Sequence, residues 1–331
     1  MGLETPFAVA RLLFGTLILF WGSEWLVRGS ATLARTLGVK SLVIGLTVVA
    51  YGTAAPELAV STEAASGHLT PMALGNVIGS CAANISLILG LTALIAPPTV
   101  DSRIIRREVP ILLLSVIAIP FTLWDGVISR TEGVVMVACA VIFTVVTLTI
   151  SSAGDASDDD LGLVERSETA ASSYGGGKRA AQGSWTWALV MSALGVLLLV
   201  LGSSQFVAGA RQVAGQWGIS ERMLGMTIVA LGTSMPELLA SVMAARRGEG
   251  ALAVGAVIGS NLLNVFLVLG LVAYLHPVRV GERMHAVDAI GLAAITVLAV
   301  LFLRGSRRVN RVEGAILVAA YIAFMVAAAI F

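Results

Sequence analysis

The sequence predicts an all-α polytopic membrane protein, with about ten transmembrane helices in two inverted five-helix repeats and broken helices at the midplane. Three observations predict it. Only 12% of the 331 residues are charged and 57% are hydrophobic, whereas a soluble chain carries about 25% charged residues. Apolar stretches of membrane-spanning length recur from one end to the other. The second half of the chain also repeats the first. This composition excludes a soluble enzyme, a disordered chain and a secreted disulfide scaffold. Cys81 and Cys139 have no metal or redox spacing, and a net charge of +1 argues against a nucleic-acid partner.

A helix needs about 20 apolar residues to cross the hydrocarbon core. By that measure the first half contains spans at 7–33, 41–65, 71–96, 104–124 and 132–151. The second half contains spans at 185–213, 221–245, 251–275, 286–303 and 312–330. The first reads as a retained span and not a signal peptide, because Glu4 precedes the first arginine, Arg11, and no small-residue cleavage site closes the run. Between the halves, 152–184 is acidic, rich in Ser and Gly, and without apolar periodicity, as expected of a solvated linker. Its acidic cluster of Asp155, Asp158, Asp159 and Asp160 does not make a calcium-binding EF-hand. Counted from Asp155, the positions that require Gly and Glu hold Asp160 and Arg166. The chain thus divides into a first repeat (1–151), a linker (152–184) and a second repeat (185–331).

Loop charge sets the orientation. About 14 basic residues fall on one side of the membrane and about 5 on the other. The richer side holds Arg35, Lys40, Arg103, Arg106, Arg107, the linker, Arg246, Arg247 and the Arg304–Arg311 cluster. That side is expected in the cytoplasm, which places both termini outside.

Residues 22–97 align with 202–277 at a constant offset of 180, with about 31 of 76 positions identical. GLTVVAYGTAAPEL (45–58) matches GMTIVALGTSMPEL (225–238), and ALGNVIGSCAANISLILGL (73–91) matches AVGAVIGSNLLNVFLVLGL (253–271). Further on, Arg130-x-Glu132-Gly133 echoes Arg311-x-Glu313-Gly314. Five spans is an odd number, so the two copies lie upside down relative to each other. Inverted repeats place a site near the midplane, open in turn to either side.

The Gly-Thr-x-x-Pro-Glu motif occurs at Gly52–Glu57 and Gly232–Glu237. Proline has no amide hydrogen, so Pro56 and Pro236 leave the carbonyls of Gly52 and Gly232 without their helical donor, and glycine lets the chain leave helical geometry there. Freed carbonyls, the hydroxyls of Thr53, Thr233 and Ser234, and a carboxylate together suit a hard cation. Glu57 and Glu237 each sit mid-span, where an ionisable group costs a few kcal/mol and marks a functional site. No Lys or Arg lies near them in sequence within either span. The second motif, Gly-x-x-x-Gly-Ser-x-x-x-Asn, occurs at Gly75–Asn84 and Gly255–Asn264. Its glycines suit close helix packing. Ser80 and Asn84 are four residues apart and share a face, as do Ser260 and Asn264, so they add oxygen ligands beside the glutamates.

These motifs resemble the cation/calcium exchanger superfamily, and most closely its sodium/calcium exchanger branch. The paired GTAAPEL and GTSMPEL segments, each followed by GxxxGSxxxN, carry the resemblance, which covers nearly the whole chain. Gly-Thr in this motif favours the sodium-coupled over the proton-coupled branch. The resemblance implies that Glu57 and Glu237 are shared calcium ligands, that Thr53 and Thr233 add backbone carbonyls, and that Asn84 and Asn264 flank the centre. It further implies one sodium position lined by Ser80, Ser234 and the Ala230 carbonyl, and a symmetry mate lined by Ser260, Thr53 and the Ala50 carbonyl. Three positions depart from the family pattern. Ala54 stands where a serine is usual, which puts the three-sodium stoichiometry in doubt. Asn264 stands where potassium-dependent relatives carry aspartate, and Cys81 replaces the asparagine seen at Asn261.

The expected function is secondary antiport of sodium against calcium by alternating access, with no cofactor and no obligate protein partner. The setting is a prokaryotic cytoplasmic (inner) membrane, and the long first and sixth spans, with Gly22-Ser23 and Gly202-Ser203, are expected to slide together. The alternatives are a proton-coupled antiporter on the same scaffold, a calcium-permeable channel, and an intramembrane hydrolase, for which the sequence offers no nucleophile or paired histidines. His68, His276 and His285 read as interfacial. Glu24 and Arg28 can pair at i, i+4, Arg28 can instead snorkel, Glu63 suits either a vestibule or the interface, and Glu108 and Asp288 read as interface partners of nearby arginines.

Overall fold

The computed structural model describes residues 4–38, 40–100, 104–122, 125–152, 185–214, 223, 225–279, 286–305 and 308–330. The linker with its acidic cluster, Arg103 and His285 lie outside these. Helix α1 (Glu4–Leu37) is followed by a segmented span of α2 (Ser41–Ile44), a wider π-type turn (Gly45–Val49), α3 (Ala50–Thr53) and α4 (Ala55–Ser66). Next come α5 (Thr70–Ala82), a π-type stretch (Ala83–Ile88) and α6 (Leu89–Ile95). The half closes with α7 (Val109–Thr122), β1 (Val127–Ile128) and α8 (Arg130–Ser152).

The second half follows the same plan. Helix α9 (Trp185–Ala214) leads to a π-type turn (Gly225–Val229), α10 (Ala230–Thr233) and α11 (Met235–Arg246). Then come α12 (Gly250–Leu263), a π-type stretch (Asn264–Leu269), α13 (Gly270–Leu275), β2 (Val278–Arg279), α14 (Ala286–Gly305) and α15 (Arg311–Ile330).

Among the described residues, eight helices are long and apolar enough to cross a membrane, or nine when Gly225–Thr233 and Met235–Arg246 count as one bent span. Their bounds agree with the sequence-derived spans to within a few residues. The fourth, helical over 104–122, agrees in its bounds as well but stays out of that count. It begins with the π-type turn Ile104–Glu108, which carries Arg106, Arg107 and Glu108, so its apolar part is the 14-residue α7. At 1.5 Å per residue that is about 21 Å, short of the roughly 30 Å hydrocarbon core.

Burial sorts the spans into a centre and a rim. The apolar window of Gly250–Leu275 is 89% buried, against 29% for Phe7–Ala34. The rim helices turn large apolar side chains outward, among them Phe7, Leu13, Phe14 and Trp21 on α1 and Trp185 and Trp187 on α9. This outward apolar face is what lipid requires, and the protein is an integral membrane protein.

Contacts in one half recur 180 residues later in the other. A Cβ added to Gly45 would lie 2.6 Å from the Leu252 carbonyl oxygen, and one on Gly225 would lie 2.5 Å from that of Met72. A Cβ on Gly79 would meet Met226 O at 2.5 Å and Ala230 Cβ at 2.8 Å, while one on Gly259 would meet Ala50 Cβ at 2.8 Å and Leu46 O at 3.0 Å. The connections follow the same rule. β1 pairs antiparallel with β2 through Val127 and Arg279, and Thr99 forms a matching bridge with Arg308.

The Arg-x-Glu-Gly echo also finds its physical cause. Glu132 accepts the Ser129 backbone N–H at 2.7 Å, and Glu313 accepts that of Asn310 at 2.8 Å. Ser129 Oγ and Asn310 Oδ1 accept the return bonds, which makes two capping boxes. The glycine that follows each box seats the helix. A Cβ on Gly133 would lie 2.6 Å from Gly270 O, and one on Gly314 would lie 2.7 Å from Gly90 O.

Helices α1 and α9 pack on each other along a seam of small residues. Built Cβ atoms on Gly15 and Gly195 would meet Gly202 O at 2.8 Å and Leu26 N at 2.5 Å, and one on Gly29 would meet Ala188 O at 2.7 Å. The seven-residue spacing of Gly15, Gly22 and Gly29, and of Gly195 and Gly202, keeps them on one face. Glu24 of α1 pairs with Arg28 at 2.6 Å, as its spacing predicts, and also with Arg247 at the end of α11. Glu108 pairs with a neighbouring arginine, Arg107, at 2.6 Å, as expected from the sequence. It is fully buried, and Asp288, its counterpart 180 residues on, is buried as well.

The α4–α5 and α11–α12 turns end their helices alike. Leu69 N–H donates to Ala64 O at 2.8 Å, and Glu249 N–H to Ala244 O at 2.9 Å. The left-handed position is Gly248 (φ 79°) in one and His68 (φ 62°) in the other, so His68 is a turn residue. His276 caps α13 and meets Ser66 Oγ at 3.2 Å. Glu63 is exposed on α4.

Candidate cation site

Proline-glutamate places each carboxylate in the first turn of a new helix. Pro56 and Pro236 occupy the opening positions of α4 and α11, where a missing N–H costs nothing, and Glu57 and Glu237 follow in the first turn. Partial positive charge at a helix start favours an acidic group there. Of the preceding residues, Ser234 (φ −85°, ψ 4°) has turned out of helical geometry, whereas Ala54 (φ −74°, ψ −6°) stays at the edge of the right-handed helical region. The two breaks differ in degree. Ser41–Ser66 passes as one span, while the axes on either side of Ser234 meet at 47°.

Glu57 and Glu237 are both fully buried and close enough to act on each other electrostatically. Among the described residues, the ion pairs of Glu24 and Glu108 lie elsewhere, and no Lys or Arg pairs with either glutamate. Ser234 Oγ donates to Glu57 Oε1 at 3.0 Å. The hydroxyls of Thr53 and Ser260 neighbour Glu237, whose two carboxylate oxygens have no hydrogen-bond partner.

The structure brings the sequence-derived candidates together across the repeats. Thr53 Oγ1 lies 3.3 Å from Ser260 Oγ and 3.4 Å from the Ala50 carbonyl oxygen, so the three predicted members of one half meet. In the other half, the Ala230 carbonyl accepts the Ser234 N–H at 2.9 Å and lies 3.3 Å from Thr233 Oγ1. Asn84 and Asn264 are completely buried at the starts of the two long π-type stretches, and no polar atom of either amide has a hydrogen-bond partner. Ser80 Oγ is buried without a partner too, so it does not join Ser234 in a direct bond. A native interior pairs nearly all of its buried polar atoms. Glu57 Oε2, both carboxylate oxygens of Glu237, the two amides and the Ser80 hydroxyl, all buried and unpaired, form a set of hard oxygen donors. Among the described residues there is no group of three or more His, Cys, Asp and Glu suited to a transition metal.

The flanking glycines give these groups their positions. Gly79 lets α5 close on α10 at Ala230, and Gly259 lets α12 close on α3 at Ala50. The small-residue motif and the carbonyl donors are therefore two sides of one contact. Cys81, opposite its repeat mate, is buried with Sγ 3.9 Å from the Asn261 carbonyl oxygen, a packing contact.

Two residues escaped the sequence reading. Asn76 Nδ2 donates to Ser61 Oγ at 2.9 Å, and Thr233 Oγ1 lies 3.3 Å from Asn76 Oδ1. The signal was present for Ser61, since the repeat retains serine at Ser241, but not for Asn76, whose counterpart is Ala256.

Fold, site and relatives together define a class, a polytopic membrane transporter and not an enzyme. The chain belongs to the sodium/calcium exchanger protein family, whose model matches residues 7–149 and 187–330. It is similar to the sodium/calcium exchanger MaX1 of Methanosarcina acetivorans, with 31% identity over 338 residues, covering 95% of this chain and 96% of that one. It is 33% identical to the inner membrane protein YrbG of Escherichia coli over 321 residues, covering 96% of this chain and 95% of the relative. Among solved structures, it matches the sodium-calcium exchanger NCX_Mj at 32% identity with a TM-score of 0.77, covering 96% of this chain and 97% of that one.

Proposed function

We propose that the chain is a secondary active antiporter that exchanges sodium for calcium by alternating access, with Glu57 and Glu237 shared by the competing cations at the membrane midplane. The observation that carries this reading is the pair of fully buried glutamates without a basic partner among the described residues. Two uncompensated carboxylates are too costly to enclose in low dielectric, so the closed, crossing states are the cation-loaded ones. A calcium ion neutralises both, and sodium ions do so in its place. Sharing the carboxylates makes the two ions compete, which gives exchange in place of leak. The names of MaX1 and NCX_Mj support the choice of ions.

In this reading the site residues divide as the family resemblance implies. Glu57, Glu237 and the backbone oxygens of Thr53 and Thr233 take calcium, with Asn84 and Asn264 flanking it. Ser80, Ser234 and the Ala230 carbonyl take one sodium, and Ser260, Thr53 and the Ala50 carbonyl take another. The chain is two inverted repeats, 1–151 and 185–331, joined by a cytoplasmic linker at 152–184, with both termini outside a prokaryotic cytoplasmic membrane. The pair α1–α9, bound to itself by its glycine seam, moves as one body across the remaining helices.

Calcium uptake into proteoliposomes under separately imposed sodium and proton gradients tests this function. Uptake driven by an outward sodium gradient and indifferent to pH is expected. Uptake that follows only the pH gradient would establish the proton-coupled alternative, and large passive flux without a counter-ion would establish a channel.

Ala54 is expected to set the strength of sodium coupling. It is buried at the first break, where its counterpart Ser234 supplies a hydroxyl to Glu57 at 3.0 Å. Ala54→Ser restores the missing oxygen beside Glu237 and is expected to lower the sodium concentration for half-maximal exchange by about fivefold, the worth of one added polar contact. An unchanged sodium response would count against a sodium position there.

A further inference from the structure

Comparing the two halves of the site through the 180-residue offset exposes a polar chain present in only one of them. In that half, Ser61 accepts Asn76 Nδ2 at 2.9 Å, and Asn76 Oδ1 lies 3.3 Å from Thr233 Oγ1. All three residues are buried. In the other half, Ala256 stands in place of Asn76, and the Oγ of Ser241, the counterpart of Ser61, has no hydrogen-bond partner. Among the described residues, Thr53 Oγ1 lies 3.3 Å from Ser260 Oγ, and either hydroxyl can be the donor.

The chemistry of the amide makes this difference directional. Donation from Nδ2 to Ser61 turns Oδ1 toward Thr233, and an amide oxygen only accepts. The Thr233 hydroxyl has one proton and four acceptors around it, the carbonyls of Val229 (3.1 Å) and Ala230 (3.3 Å), Asn76 Oδ1 (3.3 Å) and the neighbouring Glu57 carboxylate, which already holds the Ser234 hydroxyl at 3.0 Å. The Ala230 carbonyl already holds the Ser234 N–H at 2.9 Å. A buried amide oxygen left unmatched is costly, and Thr233 is the donor that satisfies Oδ1. With the proton directed there, the second lone pair of the Ala230 carbonyl and those of the Thr233 hydroxyl stay available to a cation.

We propose that Asn76 is a positioning residue for the monovalent-cation position lined by Ala230, Ser234 and Ser80, and that it makes this position the stronger of the two. The opposite position lacks both this amide, at Ala256, and a hydroxyl, at Ala54. Asn76 touches no cation itself and acts through Thr233. The assignment rests on the sodium-coupled reading given above.

The test measures radioactive calcium flux in proteoliposomes in two modes, sodium-driven uptake as a function of internal sodium and calcium-for-calcium exchange without sodium. Asn76→Ala is expected to raise the sodium concentration for half-maximal uptake about fivefold while calcium self-exchange stays within about twofold of wild type. Ser61→Ala, which frees the amide to rotate but leaves it in place, is expected to shift the sodium response in the same direction by a smaller factor. It also carries the test should Asn76→Ala fail to fold. A purely structural residue would depress both modes together. Equal loss in both modes, or an unchanged sodium response in either folded variant, overturns the assignment. A wild-type protein whose uptake ignores sodium overturns the antiport reading itself, and that result is visible before any variant is made.

Discussion

Glu57→Gln and Glu237→Gln are each expected to abolish calcium transport while the protein still folds. Glutamine matches glutamate in size and keeps the hydrogen-bonding shape, so packing around the breaks at Ala54 and Ser234 is retained. What disappears is one of two negative charges in a region where both side chains are fully buried. A buried charge without a partner costs stability, so the neutral variant is expected to melt no lower than wild type. For cargo the balance reverses. A divalent ion held by one carboxylate lacks compensation worth about 3 kcal/mol or more, which lowers affinity over roughly 100-fold. The two variants differ in detail. Glu57 accepts a bond from Ser234 at 3.0 Å, whereas both oxygens of Glu237 are free of hydrogen-bond partners. Radioactive calcium uptake paired with a thermal melt checks both parts. Transport at the normal rate by either folded variant would remove that glutamate from the site.

Gly79→Val is expected to damage folding and transport together, and Gly259→Val to do so somewhat less. A Cβ at Gly79 would lie 2.5 Å from the carbonyl oxygen and 2.8 Å from the Cα of Met226, and 2.8 Å from Ala230 Cβ. Backbone cannot move aside as a flexible side chain would. Helix α5 must separate from α10, and the separation carries Ala230 and Thr233 with it. At Gly259 the nearest atoms are Ala50 Cβ at 2.8 Å and Leu46 Cα and O at 3.0 Å. Overpacking of a tight contact costs about 1–3 kcal/mol and often more when backbone is the obstacle. Gly67→Ala is the control, because its built Cβ meets nothing closer than 3.5 Å and its φ of −79° suits alanine. The expected order of thermal midpoints is Gly67→Ala near wild type, then Gly259→Val, then Gly79→Val. Equal midpoints for all three would show that these crossings are looser than the structure describes.

Much of the architecture was legible because a bilayer simplifies the code. Hydrophobic length alone located nine of the spans to within a few residues of their helices. The fourth agrees in its limits too, although Arg106, Arg107 and Glu108 fill its first turn and shorten its apolar part. The glutamates were legible because a charge in an apolar run has few structural explanations. Asn76 was not, since a lone buried amide gives no signal until its neighbours are known. The seven-residue glycine seam of α1 and α9 was present in the sequence, yet glycine spacing on its own does not say which helix it faces.

By itself the sequence determined the approximate limits of the membrane-spanning segments, the internal duplication, and the two Gly-Thr-x-x-Pro-Glu motifs with their carboxylates. These follow from local chemistry: apolar length, a missing proline donor, a charge that lipid will not accept. Only the tertiary structure decided which oxygens meet across the repeats. Ser234 reaches Glu57, Thr53 reaches Ser260, and Thr233 reaches Asn76. It also decided that the two halves of one duplicated plan are unequal, with a 47° bend at one break and a polar chain behind only one threonine. The physical reason is distance along the chain. These partners lie about 160–210 positions apart, and they are brought together by backbone crossings at Gly79 and Gly259 that no local pattern specifies.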